Sequence, residues 1–346
     1  MRRQRMTFIL LLSMSILLID FSLNDPWKIT ASEFNFAVET EIPENQINKD
    51  KTYFDLMMDP GSKQDLIINL RNDTDSDVKI HPIIQSATTN INGVVEYGLN
   101  DIEKDPTLKY KMDDIVKVEN EIIIPANGTY ELKLTVEMPK EEFDGILAGG
   151  ITLQEVVEET NTTNKNNKGM SIKNNFAYVI AILLRENNND ISPKLKLNDV
   201  FPDQVNSRNV IMANIQNIKS IYINKMAIKA TITEKGKAEV LYEANKENLQ
   251  MAPNTNFNFP IALNGERLAA GDYILDITVQ SNGEKWHWKR EFKIDGETAK
   301  KLNESDVTIQ NDFTWLYVLC GALILLSTLI ILIVFLKRKK NKVIRK

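Results

Sequence analysis

The chain has 346 residues, a formal net charge of −5 and a single cysteine. Eleven of its 42 Lys and Arg residues lie in the first 31 or the last ten positions, whereas only two of the 47 Asp and Glu residues do, so the rest of the chain is negative by about fourteen charges. This excludes nucleic-acid binding through a broad basic surface, and the single cysteine excludes a small module stapled by disulfides.

The N-terminus has the pattern of an export signal. Three arginines, Arg2, Arg3 and Arg5, precede an apolar segment over 8–19, and Ala31 is a small residue suited to a cleavage site. We therefore predict a signal peptide over 1–31. An uncleaved signal anchor is the alternative, but the apolar run is shorter than the roughly 20 residues that a membrane span needs.

Residues 33–185 follow the period of two that is typical of half-buried strands. Leu66, Ile68 and Leu70 share one face of such a strand. The run FAYVIAILL, 176–184, is apolar on both faces, which predicts a central strand that is covered on both sides. One short helix fits within 109–118. We predict a β-sandwich over 33–185 and an interdomain linker over the polar residues 186–193.

Residues 194–296 repeat the strand pattern and predict a second β-sandwich. Within it AGDYILDITV, 270–279, matches NGTYELKLTV, 127–136, in the order Gly-x-Tyr-x-Leu. A tyrosine at this place resembles the tyrosine corner of immunoglobulin-like sandwiches, although the match is short enough for coincidence. The predicted fold class is all-β, with two tandem immunoglobulin-like β-sandwich domains and one C-terminal transmembrane helix.

The C-terminal helix is predicted from Trp315 to Leu336, where 22 residues carry no charge. A helix of this length spans about 33 Å, enough to cross a bilayer. We assign 297–312 to a stalk, 313–336 to the membrane and the basic tail 337–346 to the cytoplasm, following the positive-inside rule. The two sandwiches are then expected outside the cell, in the zone of the cell wall.

Neither catalytic nor metal-binding patterns emerge. Asp73, Asp75 and Asp77 alternate as in a calcium loop, but Val78 stands where such a loop needs glycine, and we predict a solvated turn. The chain has two histidines, His81 and His287, and lacks a nucleophile elbow, a phosphate loop and metal-ligand spacing. We predict no enzyme, no metal and no cofactor. A glycosidase with paired carboxylates is the remaining enzymatic alternative.

Residues 284–294 predict an amphipathic strand. Trp286 and Trp288 fall on its core face, whereas His287, Lys289 and Glu291 fall on its polar face. We predict that these three polar residues bind a partner. The alternative is that the two indoles are exposed and stack on carbohydrate.

The chain resembles the WxL-interacting proteins of low-GC Gram-positive bacteria. The resemblance is carried by PENQINKDKTYFDLMMDPGSKQDLIINLRNDTDSDVKIHP (Pro43 to Pro82), by FDGILAGGI (Phe143 to Ile151), and by MAPNTNFNFPIALNGERLAAGDYILDI followed by WHWKREFKI. It implies a first domain that binds peptidoglycan, a second domain that binds host proteins such as those of the extracellular matrix, and association with WxL-domain surface proteins.

The function predicted from residues and resemblance together is that of a membrane-anchored cell-surface adaptor without catalytic activity. It is expected to bind WxL-domain proteins and peptidoglycan and to contribute to adhesion to host proteins. The alternative is an assembly chaperone outside the cytoplasm that engages surface proteins through a free sandwich edge.

Overall fold

The computed structural model describes residues 34–156, 176–309, 319–330 and 333. The predicted signal peptide, 1–31, and the basic tail, 337–346, lie outside these residues. The predicted membrane segment lies partly outside them; its residues 319–330 form a helix. Within the described ranges, no helix has both the length and the apolar character needed to cross a bilayer.

The first β-sandwich packs a four-stranded sheet of order β1-β3-β9-β7 against a five-stranded sheet of order β2-β11-β10-β4-β8. All neighbouring strands are antiparallel except β11 and β2. A hairpin, β5-β6, and a short helix, α1, lie in the connection between β4 and β7. The elements are β1 (Ala37–Thr40), β2 (Phe54–Met57), β3 (Lys63–Arg71), β4 (Val78–Ser86), β5 (Thr88–Thr89), β6 (Val95–Glu96), α1 (Met112–Ile115), β7 (Val116–Lys117), β8 (Ile122–Ile124), β9 (Thr129–Glu137), β10 (Leu147–Glu155) and β11 (Ala177–Arg185).

The predicted alternation positions the core of this sandwich. Leu66, Ile68 and Leu70 of β3 are at most 1% exposed, and they lie opposite Leu134, Leu132 and Tyr130 of β9. Because these residues recur every second position, one face of the sheet is buried while the other carries charged pairs such as Lys133 with Asp65. The predicted short helix within 109–118 is found as α1.

Asn72 fixes the turn between β3 and β4, where the sequence analysis predicts a solvated turn. Its amide group is fully buried and donates to the carbonyls of Ser76 at 2.8 Å, Pro125 at 3.0 Å and Ile124 at 3.1 Å. Its carbonyl accepts from the Thr74 backbone N–H at 2.9 Å. The turn is thereby tied to the connection between β8 and β9.

Replacing Asn72 with alanine is expected to lower the free energy of unfolding by about 2–3 kcal/mol, because the buried Ile124 carbonyl and two half-buried carbonyls lose this donor. Urea unfolding followed by circular dichroism measures this loss. The matched control is Asp73→Ala, which removes an exposed pair with Arg71 and should cost less than about 1 kcal/mol. Equal losses in the two variants would contradict the role given to Asn72.

The second β-sandwich packs a three-stranded sheet of order β12-β13-β16 against a four-stranded sheet of order β15-β14-β17-β18. All of its strand pairs are antiparallel. The elements are β12 (Leu195–Val205), β13 (Arg208–Asn217), β14 (Ile223–Glu234), β15 (Val240–Met251), β16 (Thr255–Ala262), β17 (Gly271–Ser281), β18 (Glu284–Ile294) and a helix, α2 (Gly296–Ser305).

The two Gly-x-Tyr strands differ in what their tyrosines bind. The Tyr273 hydroxyl on β17 donates to the backbone carbonyl of Ala269 at 2.9 Å, which is the contact expected at a tyrosine corner. The Tyr130 hydroxyl on β9 donates instead to the Glu119 carboxylate at 3.0 Å. The pattern therefore marks the same strand position in both sandwiches but a backbone contact in only one.

Helix α2 occupies most of the segment predicted to be a stalk. The Asp295 carboxylate caps its N-terminus by accepting from the Thr298 backbone N–H at 2.8 Å. Ala299 is buried against the second core, and the buried Asp306 carboxylate accepts from the Asn209 backbone N–H at 2.7 Å. The chain thus stays packed on the second sandwich through Asp306, because Leu302 also packs against that core and the Asn303 side chain bonds both backbone groups of Leu268.

The two sandwiches are docked on each other through the outer face of the five-stranded sheet. A small apolar cluster spans the boundary and comprises Ala87, Ala148, Leu183 and Ala252, with Tyr53, Val95, Tyr97, Ile146 and Tyr222 packed against it. The hydroxyls of Tyr97 and Tyr222 lie 3.0 Å apart, and burial raises the pKa of both phenols. Residues 186–193, the predicted linker, join the sandwiches beside this contact.

The docked surface includes the buried carboxylate of Asp105, from the connection after β6. It accepts from the side-chain amides of Gln216 at 2.9 Å and Asn256 at 2.6 Å, both in the second sandwich. Thr107 donates to the same carboxylate through its backbone N–H at 2.9 Å and its hydroxyl at 2.6 Å. Burial alone would raise the pKa of Asp105, but the bonds from Thr107, Asn256 and Gln216 outweigh it and hold the pKa below its ordinary value.

Candidate binding surfaces

The three residues predicted to bind a partner lie together on the outer face of β18. His287 Nε2 is 2.8 Å and Lys289 Nζ is 3.2 Å from the carboxylate oxygens of Asp276 on β17. Glu291 pairs with Lys235 at 2.6 Å. Partial burial raises the pKa of Asp276, but the contacts with His287 and Lys289 outweigh this and leave it lowered. All three predicted residues are exposed and available to a partner.

The indoles of the same strand point the other way. Trp286 and Trp288 are half-buried and pack against the core of the second sandwich, as does the buried Phe292. The structure therefore favours the packing interpretation over an exposed tryptophan platform. The other histidine, His81 on β4, is exposed in the first sandwich, and the fold does not bring the two histidines together.

The acidic turn after β3 uses its carboxylates for protein contacts. Asp73 pairs with Arg71, the Asp77 carboxylate accepts from the Ala126 backbone N–H, and the Asp75 carboxylate accepts from the Asn127 amide. In the part of the chain that the structure describes, no three potential metal ligands cluster.

A groove of about 540 Å³ opens along the edge of β11 in the first sandwich. We call it the edge groove. One wall is β11 from Tyr178 to Ala181, the opposite wall is formed by β1 and the segment 49–53, and Tyr97 lies at one side. The Thr40 hydroxyl donates to the Thr52 carbonyl at 3.0 Å and holds the opposite wall together.

The β11 wall of the edge groove is a free strand edge. Strand β2 pairs with β11 only from Ile182 onward, and the first pair is Phe54 of β2 with Ile182 of β11. Among the described residues, nothing pairs with 177–181 on that side, although β10 pairs with them on the other. The edge groove therefore ends at Phe54 and exposes backbone groups along five residues.

Backbone geometry identifies which groups face the groove. The Arg185 carbonyl accepts from the Met58 N–H at 2.9 Å on the β2 side, whereas the Ile180 carbonyl lies against Gly150 of β10. Successive residues of a strand point their N–H and C=O groups to opposite edges. The N–H and C=O groups of Val179 and the N–H group of Ala181 consequently point into the edge groove, whereas the Ala181 carbonyl lies at Phe54, where the pairing with β2 begins.

An aromatic cluster lies at the open end of the groove. The ring centroid of Phe34 is 4.3 Å from that of Tyr178 and 5.1 Å from that of Phe176, and Phe36 is 5.2 Å from Tyr178. Phe34 is 43% and Phe176 is 36% exposed. Rings that are this exposed leave an apolar surface in contact with solvent.

The sequence analysis did not single out the edge groove. The sequence does show the aromatic cluster at its open end, as aromatic residues at alternate positions at the start of two strands: FNF at 34–36 and FAY at 176–178. Period two places each pair on one strand face, but only the sheet order brings the two pairs together.

Two family models match the chain in succession. The peptidoglycan binding domain of WxL Interacting Protein matches residues 36–155, and the host binding domain of WxL Interacting Protein matches residues 167–304. The second match includes β11, although that strand completes the five-stranded sheet of the first sandwich.

Among curated proteins, none matches this chain. Solved structures with some likeness include a chain of the chaperone–tip adhesin complex of CFA/I fimbriae, at 13% identity, TM-score 0.30, and coverage of 75% of this chain and 98% of that one. The Escherichia coli chaperone DraB has 14% identity, TM-score 0.27 and coverage of 75% and 98%. The Pseudomonas aeruginosa CupB2 chaperone has 12% identity, TM-score 0.27 and coverage of 68% and 95%. Likenesses this distant do not specify function.

Proposed function

The chain belongs to the WxL-interacting protein family, and from this premise we propose that it is a non-catalytic adaptor of the bacterial cell surface. The first sandwich binds peptidoglycan, and the second binds WxL-domain proteins and host proteins. The observation that carries the proposal is the succession of the peptidoglycan binding and host binding domain matches over 36–155 and 167–304. The two sandwiches are docked, so an adaptor of this kind presents both surfaces from one body.

Membrane anchoring through 313–336 is part of the proposal. Helix α2, Asp306 and a bond from the Val307 N–H to the Ser207 carbonyl hold the chain on the second sandwich, so at most five residues, 308–312, separate it from the predicted membrane segment. Five residues reach at most about 18 Å when fully extended. The second sandwich therefore lies close to the membrane, where cell-wall polymers and WxL-domain proteins are nearer than any host protein.

The test uses the full chain in detergent with purified peptidoglycan sacculi and a purified WxL-domain protein. We expect it to sediment with the sacculi and to capture the WxL-domain protein. Failure to bind either one would contradict the adaptor function. Release of labelled fragments from the sacculi would contradict the non-catalytic part of the proposal.

The outer face of β18 is the surface proposed to hold the WxL-domain protein. Replacing His287, Lys289 and Glu291 together with alanine is expected to weaken its capture about tenfold and to leave sacculus binding unchanged. Stability should change by less than about 1 kcal/mol, because the ion pairs are exposed. A matched triple variant on β12 of the other sheet (Lys196→Ala, Asp199→Ala and Asp203→Ala) should capture the protein normally. Equal capture by both triple variants would rule out this surface.

A further inference from the structure

We propose that the edge groove binds the peptide stem of a peptidoglycan unit and that the aromatic cluster contacts the sugar to which the stem is attached. This inference rests on the proposed function of the first sandwich and assigns its ligand to one place. It follows from three observations: a short free strand edge, a rim that carries both signs of charge, and exposed aromatic rings at the open end.

The free edge matches a short peptide. The N–H and C=O groups of Val179 and the N–H group of Ala181 offer two donors and one acceptor to an extended chain in the groove. The unpaired stretch from Ala177 to Ala181 covers about 16 Å at 3.3 Å per residue. An extended peptide of four or five residues fills that length.

The closed end of the groove argues against a long protein strand. Strand β2 occupies the edge from Ile182 onward, with Phe54 opposite Ile182. A strand added by a folded partner would be stopped there after a few residues. Peptidoglycan stems are short and are attached at one end to a sugar, so one end of the ligand enters the groove while the other stays outside.

The rim of the groove suits a zwitterionic ligand. Lys49 and Lys51 are exposed on the segment opposite β11, and Asp50 and Glu39 are exposed beside them. A stem peptide carries carboxylates and, at its branching residue, an amine. A glycan without its peptide has no amine and would leave Asp50 and Glu39 without a complementary group.

The aromatic cluster extends the site beyond the groove. Phe34, Phe176 and Tyr178 present ring surface at the end opposite to Phe54. Pyranose rings have an apolar face of C–H groups that packs on aromatic rings. A sugar attached to a stem peptide in the groove would lie over this cluster.

Binding of a fluorescent disaccharide–tetrapeptide to the full chain in detergent, followed by fluorescence anisotropy, tests the inference. Val179→Pro removes the backbone N–H of Val179, a donor that faces the groove. This N–H does not bond to β10, so the substitution leaves the hydrogen bonds between β10 and β11 in place. We expect affinity to fall about tenfold, the worth of one good hydrogen bond with its geometry. Val179→Thr keeps the N–H and the side-chain shape and should bind like the original chain.

Charge reversal gives a second test that does not depend on the backbone. Lys49→Glu with Lys51→Glu should weaken the disaccharide–tetrapeptide several-fold, with a smaller effect at high salt. The control, Lys229→Glu with Lys293→Glu, makes the same charge change on exposed positions of the second sandwich and should leave affinity unchanged. The peptide-free disaccharide should bind at least tenfold more weakly than the complete unit.

The results of these experiments distinguish an error in the groove assignment from an error in the proposed adaptor function. If the full chain sediments with sacculi but the Val179→Pro and charge-reversal variants bind the disaccharide–tetrapeptide normally, the groove assignment is wrong and the adaptor function stands. If the full chain does not sediment with sacculi, the proposed function fails. Loss of WxL-domain protein capture in Val179→Pro, with normal binding of the disaccharide–tetrapeptide, would assign the groove to a protein strand and overturn the inference.

Discussion

Replacing Gly145 with alanine is expected to uncouple the two sandwiches and to lower the free energy of unfolding by on the order of 3 kcal/mol. Gly145 has φ +92°, a conformation that L side chains rarely adopt. A Cβ at this position would also collide with the Ser220 carbonyl oxygen and lie 2.7 Å from Ile191 Cδ1. The same carbonyl accepts from the Ile146 N–H at 2.8 Å across the docked surface, so the collision falls on an interdomain hydrogen bond.

The matched control is Gly283→Ala, at the turn between β17 and β18. Gly283 has φ +91°, and no atom lies within 4 Å of a Cβ built there. It therefore has the same backbone strain without the collision and should cost about 1–2 kcal/mol. The difference between the two losses in the free energy of unfolding measures what the contact at Gly145 contributes to the docked surface.

Two spectroscopic signals distinguish the sandwiches in the fragment 34–309. Its only tryptophans are Trp286 and Trp288, both in the second sandwich, whereas circular dichroism reports strands from both. We expect the two signals to coincide during urea unfolding of the original fragment and to separate in Gly145→Ala. Coincident transitions in that variant, or a loss no larger than that of Gly283→Ala, would show that this contact does not couple the sandwiches.

The sequence predicts many strands of this fold because a strand that buries one face alternates apolar and polar residues. The alternation of Leu66, Ile68 and Leu70 predicts β3, and FAYVIAILL predicts a central strand that is covered on both sides. For Leu183 that second cover is the neighbouring sandwich, whereas Val179 remains 48% exposed beside the edge groove. Hydrophobicity shows that a face needs a cover but not which part of the chain provides it.

Helix α2 and the docked surface lie beyond what these patterns reveal. The start of α2 has a sequence signal in Asp295, a suitable capping residue, yet the helix is mostly polar and short. The docked surface depends on Asp105, Gln216 and Asn256, which are far apart in the sequence. Polar residues with no period could equally lie in solvent, and only the three-dimensional contacts show that they meet.

The carboxylate of Asp105 makes the docked surface sensitive to acid. Its pKa in the folded protein lies below the ordinary value of 3.8, because the bonds from Thr107, Asn256 and Gln216 outweigh the effect of burial. A lowered pKa means that folding favours the charged carboxylate. Its contribution is therefore complete above about pH 5 and disappears as the pH falls through the ordinary value to the lowered one.

Asp105→Ala is expected to lower the free energy of unfolding at pH 7 by about 2–3 kcal/mol, because it leaves the amides of Gln216 and Asn256 without their acceptor in a buried place. The loss should shrink as the pH falls below about 4, because the carboxyl group then binds a proton in the unfolded original chain and folding no longer gains as much from the charged form. Urea unfolding of the fragment 34–309 at pH 7 and at pH 3 measures both values. The control is Asp101→Ala, an exposed carboxylate in the same connection, which should change stability by less than about 0.5 kcal/mol. An Asp105→Ala loss that is the same at both pH values would show that the carboxylate charge does not hold the two sandwiches together.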